Sequence, residues 1–153
     1  MSFVASASGV IPAKRTDCFA RLRDFSTWRD WMPPSFRPVR GPERDLEVGS
    51  RLVLRIQPTR RGLPLLIVVK VVRVVPEREI SWSGGVPGLL VGEHSFLFDD
   101  AEGAAGSTLV RSEETWSGAL TSVNFAAKMI GKSASTIGQQ QVDCLAAALD
   151  KRI

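Results

Sequence analysis

The sequence predicts an α+β domain, an antiparallel sheet of about seven strands and a long C-terminal helix, with two short helices after the first strand. Three observations predict it. From Val39 to Trp116 the apolar residues recur at period two between turn residues such as Gly41-Pro42, Gly49-Ser50, Gly84-Gly85 and Glu102-Gly103, the pattern of an antiparallel meander. From about Leu120 to Ile153 there is no proline, and Ala126, Ile130, Ala134, Ile137, Gln141, Leu145 and Ala148 recur at three and four, the stripe of a helix. The 153 residues suffice for one ordinary domain of about 100 to 150 residues, so 1–153 reads as a single unit.

Residues 2–10 are small and apolar and form a strand that hands over to a helix at Ile11-Pro12-Ala13, where proline suits a first helical position. Cys18, Phe19, Leu22 and Phe25 keep helical spacing, and Asp24 or Ser26 is placed to cap a second short helix through Trp28 and Trp31, which Pro33-Pro34 stops. The clearest strand is Arg51 to Ile56, with Leu52, Leu54 and Ile56 on one face and both arginines on the other. Leu65 to Val75 is apolar on both faces except at Lys70 and Arg73, whose opposite parity predicts opposite sides. Gly131 and Gly138 each cost about 1 kcal/mol in a helix interior. Either close packing or a bend explains them, or they leave room for a ligand beneath the helix, which Gly138→Leu would fill.

Composition narrows the function classes. Hydrophobic residues at 44% and charged ones at 24% are ordinary globular usage and exclude a disordered chain. The longest apolar run, Leu63 to Val75, is broken by Lys70 and Arg73 and falls short of the roughly 20 residues of a membrane helix. Met1 to Val10 carries no positive charge, so no signal peptide is read, and a cytoplasmic protein is expected. Cys18 and Cys144 lie far apart without a CxxC partner and read as reduced thiols in helices. No metal site or cofactor is indicated. Residues 1–80 hold 15 Lys or Arg against 8 acids, and 81–153 hold 5 against 8. The basic residues are scattered singly apart from Arg60-Arg61, without a nucleic-acid motif, so no nucleic-acid partner is expected.

Strand, two short helices, meander and terminal helix is the element order of the helix-grip fold, in which a curved antiparallel sheet is wrapped around the long C-terminal helix. With Phe19 and Asp24, Trp28 and Trp31 before Pro33, Gly49-Ser50, Val74-Val75-Pro76 leading to Ile80-Ser81-Trp82, Gly92-Glu93-His94-Ser95-Phe96, Gly106 with Thr108, and Glu113-Glu114 before Trp116-Ser117-Gly118, the chain resembles the START-like, pollen-allergen-like SRPBCC superfamily, in its polyketide cyclase/dehydrase or lipid-transport branch. The resemblance covers nearly the whole chain and implies a hydrophobic pocket. It implies no reaction, since such domains bind lipids, steroids, polyketides or hormones while others assist cyclisation, dehydration or hydrolysis, and no catalytic set is shared.

His94 is the one histidine, and its parity with Phe96 and Phe98 points it inward. A hairpin centred near Gly103 would set His94 opposite Ser112, with Glu114 diagonal to it. Either His94 is a wall residue bonded to a neighbour, or it is a general base or polar hook whose tautomer Glu114 sets. A Ser-His-acid hydrolase is disfavoured because Ser112 on a flat strand lacks a strained elbow and oxyanion donors. Trp82 and Trp116 fall where a pocket would lie, joined by Phe96, Phe98, Ile137 and Gly138, while the four tryptophans and the lack of tyrosine suit a flat apolar wall. Lys70 or Arg73, whichever is inward, would meet an acidic ligand head or an internal acid. The Gly84 to Gly92 segment reads as an entrance gate or a plain surface loop.

Three functions remain. The leading one is binding or transport of a small hydrophobic, lipid- or polyketide-like molecule, with a carboxylate or carbonyl head, between the sheet and the last helix. The second is a cyclase or dehydratase in which His94 and Glu114 transfer protons. The third is a stress-related protein-interaction domain using the outer sheet face at Arg51 and Arg55. Integral membrane association is not expected, and a homodimer stays open.

Overall fold

A computed structural model describes residues 2–122 and 124–150. The order is β1 (Ser2–Ile11), α1 (Arg15–Arg23), a 3-10 turn (Phe25–Thr27) running into α2 (Trp28–Trp31), then β2 (Phe36–Arg40), β3 (Arg51–Ile56), β4 (Leu65–Val75), β5 (Glu79–Val86), β6 (Leu90–Asp100), β7 (Thr108–Ser117), a 3-10 turn (Ala119–Ser122) and α3 (Asn124–Ala148). The strands form one antiparallel curved sheet in the order β1-β7-β6-β5-β4-β3-β2, so only the first strand leaves sequence order. This is the helix-grip arrangement expected from the order of elements.

Asp24 accepts from the Ser26 backbone N–H and caps the turn leading to α2, as its position suggested. Trp28 is wholly buried and donates its indole N–H to the Leu22 carbonyl at 2.8 Å, locking α2 to α1. Of the α3 stripe, Ala134, Ile137, Gln141 and Leu145 are buried against the sheet. Gln141 is its one polar member there, and its buried amide makes no hydrogen bond to the described residues. The Ala126 and Ile130 side chains and residues 151–153 lie outside the described set. Cys18 and Cys144 are free thiols on α1 and α3, and burial pushes both pKa values up.

Two departures from the sequence reading shape the site. In β4 the parity of Lys70 and Arg73 predicts opposite faces, yet both are on the outer, exposed face. A β-bulge between Val71 and Arg73 inserts an extra residue opposite β5, so Val71 pairs with Trp82 while Arg73 pairs with Ser81. Arg73 bonds to Glu79 and Glu93 there. Lys70 is therefore not a cavity residue, and neither cation faces inward. In the β6–β7 hairpin, Gly103 and Gly106 both take positive φ, at 71° and 78°, and the Ala101 N–H bonds the Ser107 carbonyl at 3.0 Å. That turn is centred on Ala104 rather than Gly103, which moves the register by two residues. Glu114 then sits directly opposite His94, and Ser112 opposite Phe96. The Gly84 to Gly92 segment is mostly hairpin, with only 87–89 outside the strands.

Candidate functional site

The inner face of the sheet is a series of rungs, each crossing several strands. One rung runs Val71, Trp82, His94, Glu114 and Ala5. The next toward the β4–β3 hairpin runs Gly84, Gly92 and Trp116, and the next away from it Ile80, Phe96, Ser112 and Ala7. Beyond that come Phe98, Val110 and Gly9. Helix α3 crosses these rungs, and the size of the inner residues decides where it touches. On β1 the inner residues Ala5, Ala7 and Gly9 are small enough to admit the helix. A Cβ built at Gly138 would lie 2.9 Å from Ser112 Oγ and 3.5 Å from the Ala7 Cβ, and one at Gly9 would lie 3.0 Å from Val142. Gly138 is thus a close-packing glycine and leaves no room beneath it. Phe98 packs edge-on against Phe19 at 5.8 Å and, like Phe96, is fully buried core.

Toward the other end the helix stands clear of the sheet. There a cavity of about 440 Å³ opens between β3, β4, the β5–β6 hairpin and the first half of α3. Trp82, Trp116 and Ile137 line it as expected from the sequence, together with Phe36, Ile67 and Ala134, which sequence reasoning did not single out. Gly84 and Gly92, paired across β5 and β6, also line it. A Cβ at Gly92 would meet the Trp116 ring at 2.8 Å, so the missing side chain lets the indole lie flat on the sheet. Phe96, Phe98, Ser112, Lys70 and Gly138 lie outside the lining.

The polar end of this wall is His94 with Glu114. His94 Nδ1 lies 3.1 Å from Glu114 Oε1, in ion-pair range but short of a well-aligned hydrogen bond, and its Nε2 lies 2.7 Å from Ser112 Oγ. Phe96 stacks on the imidazole at 4.8 Å and Trp82 lies 4.9 Å away, so the ring is clamped. Trp116 donates its indole N–H to Glu114 Oε2 at 3.0 Å. Burial works to raise the Glu114 carboxyl, but the close His94 contact and the Trp116 donation outweigh it and hold it below the usual carboxylate range. Glu114 is therefore ionised at neutral pH and, with 18% of its side chain exposed, faces the cavity. No Lys or Arg lines the cavity among the described residues. The charged group at the cavity's inner end is the Glu114 carboxylate, opposite in sign to what an inward Lys70 would have supplied.

Ser112, His94 and Glu114 stand in the relative order of a hydrolase triad, but Ser112 is 3% exposed beneath Gly138 and beside Ala7, away from the cavity. A substrate carbonyl in the cavity cannot reach it, which removes Ser112 as a hydrolytic nucleophile. The His94–Ser112 bond serves to orient the ring.

The pattern of the family described as polyketide cyclase / dehydrase and lipid transport matches residues 2–150. The chain belongs to that family. It is a hydrophobic ligand-binding domain of this family. No curated protein matches it. Among solved structures it is similar to the di-domain ARO/CYC StfQ of the steffimycin biosynthetic pathway, with 13% identity and TM-score 0.75 over 96% of this chain and 50% of that one. It is similar as well to the Zhui aromatase/cyclase of Streptomyces sp. R1128, at 9% identity and TM-score 0.73 over 97% and 93%. A truncated norcoclaurine synthase from Thalictrum flavum aligns at 9% identity and TM-score 0.72 over 100% and 96%. The chain spans about half of the di-domain protein. These likenesses establish the fold. No described helix is long and apolar enough to cross a membrane.

Proposed function

We propose that this domain holds a small, flat, largely apolar molecule, polyketide-like or lipid-like, whose polar head donates a hydrogen bond to Glu114. One observation carries the reading: an apolar cavity of about 440 Å³ whose polar end is an ionised carboxylate, with no Lys or Arg among the described residues of the lining. A carboxylate head there would face the Glu114 carboxylate and would have to shed its hydration without a Lys or Arg to receive it. A phenol or enol would meet an acceptor whose charge strengthens the bond. Trp82 and Trp116 supply flat walls for rings.

Tryptophan emission tests this directly, with 2-naphthol and 2-naphthoate as probes of equal shape. The naphthol is expected to quench emission with saturation and to bind at least about tenfold tighter than the naphthoate, and Glu114→Gln should remove most of that preference, about the worth of one charged hydrogen bond. Equal binding of both probes, or no binding by folded protein, would sink the proposal.

A second reading, a cyclase or dehydratase, is favoured by the His94–Glu114 contact at 3.1 Å in the cavity wall. Glu114 would then accept a proton from the bound substrate and His94 would hold that carboxylate in place. In this case His94→Gln lowers the cyclisation rate of a bound polyketone about 10² to 10⁴-fold with affinity retained; a carrier shows only a changed affinity.

A further inference from the structure

Antiparallel pairing brings the β3–β4 loop, the β5–β6 turn, the end of β7 and the start of α3 to one end of the sheet. Backbone bonds from Ala119 and Leu120 to Gly88 and Leu89, both 3.0 Å, tie two of these tips together around the cavity mouth. The side chains they present are apolar and exposed. Leu63 is 88% exposed and Leu65, on the cavity lining, 63%, while Val86 and Leu89 at the β5–β6 turn and Leu120 beside them are exposed as well. Single exposed leucines are ordinary, whereas a ring of them around the mouth of an apolar cavity marks a contact surface.

Charge on the loops and the helix start at this end has one sign. Arg60 and Arg61 lie in the same loop as Leu63, and Lys128 and Lys132 are exposed on the first half of α3. Segments 57–65, 84–92 and 117–134 contain no Asp or Glu. Acids gather at the opposite end, where Glu77 and Asp100 flank Arg15 and Asp99 flanks Arg78. The excess positive charge read from the first 80 residues is thus partly an axial separation in space. The loop is braced rather than loose: Arg55 donates to Gln57 Oε1 at 2.8 Å, and Gln57 donates to the Gly62 carbonyl at 3.0 Å, leaving Leu63 projecting outward.

We propose that this end docks on an anionic lipid bilayer, with Leu63 inserted at the headgroup level and the cavity mouth turned to the acyl chains. The partner follows from charge and chemistry together. A second copy would set cations against cations, and a nucleic acid would meet the cations but leave the leucines in water. An anionic bilayer takes both, since headgroups receive Arg and Lys and the acyl boundary receives apolar tips. Docking goes beyond the ligand reading and does not require it.

Co-sedimentation of the intact chain with phosphatidylcholine vesicles, with and without about one third phosphatidylglycerol, tests it. The protein is expected to bind the anionic vesicles more tightly than the neutral ones. Arg60→Glu with Arg61→Glu should lower partitioning at least about tenfold, and Leu63→Ser, which leaves the charge unchanged, about threefold to tenfold. Arg78→Glu, at the far end, should leave it unchanged. None of these residues lines the cavity, so 2-naphthol binding by each variant separates failed docking from a failed ligand reading. No binding of wild type to anionic vesicles overturns the proposal, as does binding indifferent to Leu63→Ser, which would be adsorption by charge alone. Self-association in solution abolished by Leu63→Ser overturns it in favour of a second copy.

Discussion

The two ends of this sheet are built from the same strands and crossed by the same helix, yet one is filled and the other hollow. At the filled end Phe98 and Val110 rise from the sheet, Gly9 receives Val142, and Leu145 and Leu22 are wholly buried. At the hollow end Gly84 and Gly92 contribute no side chain, Trp116 lies flat, and Ser133, Ala134 and Ile137 line the helix side. The contrast teaches that the cavity follows from the order of side-chain sizes along each strand rather than from any break in the fold. Small residues on β1 let the helix close on the sheet at one end, and the paired glycines of β5 and β6 leave the space beneath it open at the other. The polar pair His94–Glu114 sits on the rung between the two regimes, where burial is deep enough to sharpen electrostatics and still open to the cavity.

The largest expected effect breaks the comparison at its filled end. Phe98→Ala removes a ring with 1% exposure that packs on Phe19, and should cost about 3 to 5 kcal/mol in urea unfolding. Leu65→Ala at the cavity rim, where 63% of the residue is already exposed, should change stability by no more than about 0.5 kcal/mol. Similar losses at both positions would mean that the hollow end closes in solution.

A smaller effect distinguishes contact from clearance along α3. Gly138→Leu drives a side chain into Ser112 and Ala7 and should destabilise by about 1 to 3 kcal/mol. Ala134→Leu, four residues earlier and facing the cavity, should cost less than about 1 kcal/mol while weakening 2-naphthol binding several-fold. If Gly138→Leu kept full stability and lost the probe instead, the clearance would lie beneath Gly138 after all.

Much of this was legible in the sequence, for reasons that can be named. Periods of two and of three to four gave the seven strands and the helix, because burial of one face is what those periods record. His94, Trp82, Trp116, Glu114 and Ile137 could be placed on the inner face by counting alone. Counting failed where the backbone departs from regularity. The bulge after Val71 reverses the face of everything beyond it in β4, and no residue type there announces it. The β6–β7 turn holds two glycines with positive φ, so a centre on either side of Ala104 fitted the sequence equally well. Gly138 was ambiguous because the same missing side chain serves close packing and open space, and only the facing residues decide between them. The pairing of Gly84 with Gly92 was available from the sequence as two inward glycines of matching parity, but its meaning depends on Trp116 lying over one of them.

The smallest expected effect concerns the carboxylate between the two ends. The Glu114 carboxyl is held below its ordinary value of 4.5, with burial opposing and the His94 and Trp116 contacts prevailing. Folding therefore favours its ionised form. A group whose folded pKa is depressed stabilises the fold above its unfolded pKa, and that stability is lost as pH falls through the folded value. The melting temperature of wild type should accordingly fall as the pH drops below about 4.5, and Glu114→Gln should show a shallower acid slope over that range. Glu79, on the outer face, is depressed as well, first by the Ser81 hydroxyl and then by Arg73 against burial, so some acid slope should survive in the variant. His94→Gln provides the sharper comparison. It keeps the carboxyl and removes the chief partner that overcomes its burial, so its acid slope should approach that of Glu114→Gln. An unchanged slope in His94→Gln would assign the depression to Trp116 alone and take His94 out of the electrostatics of the cavity.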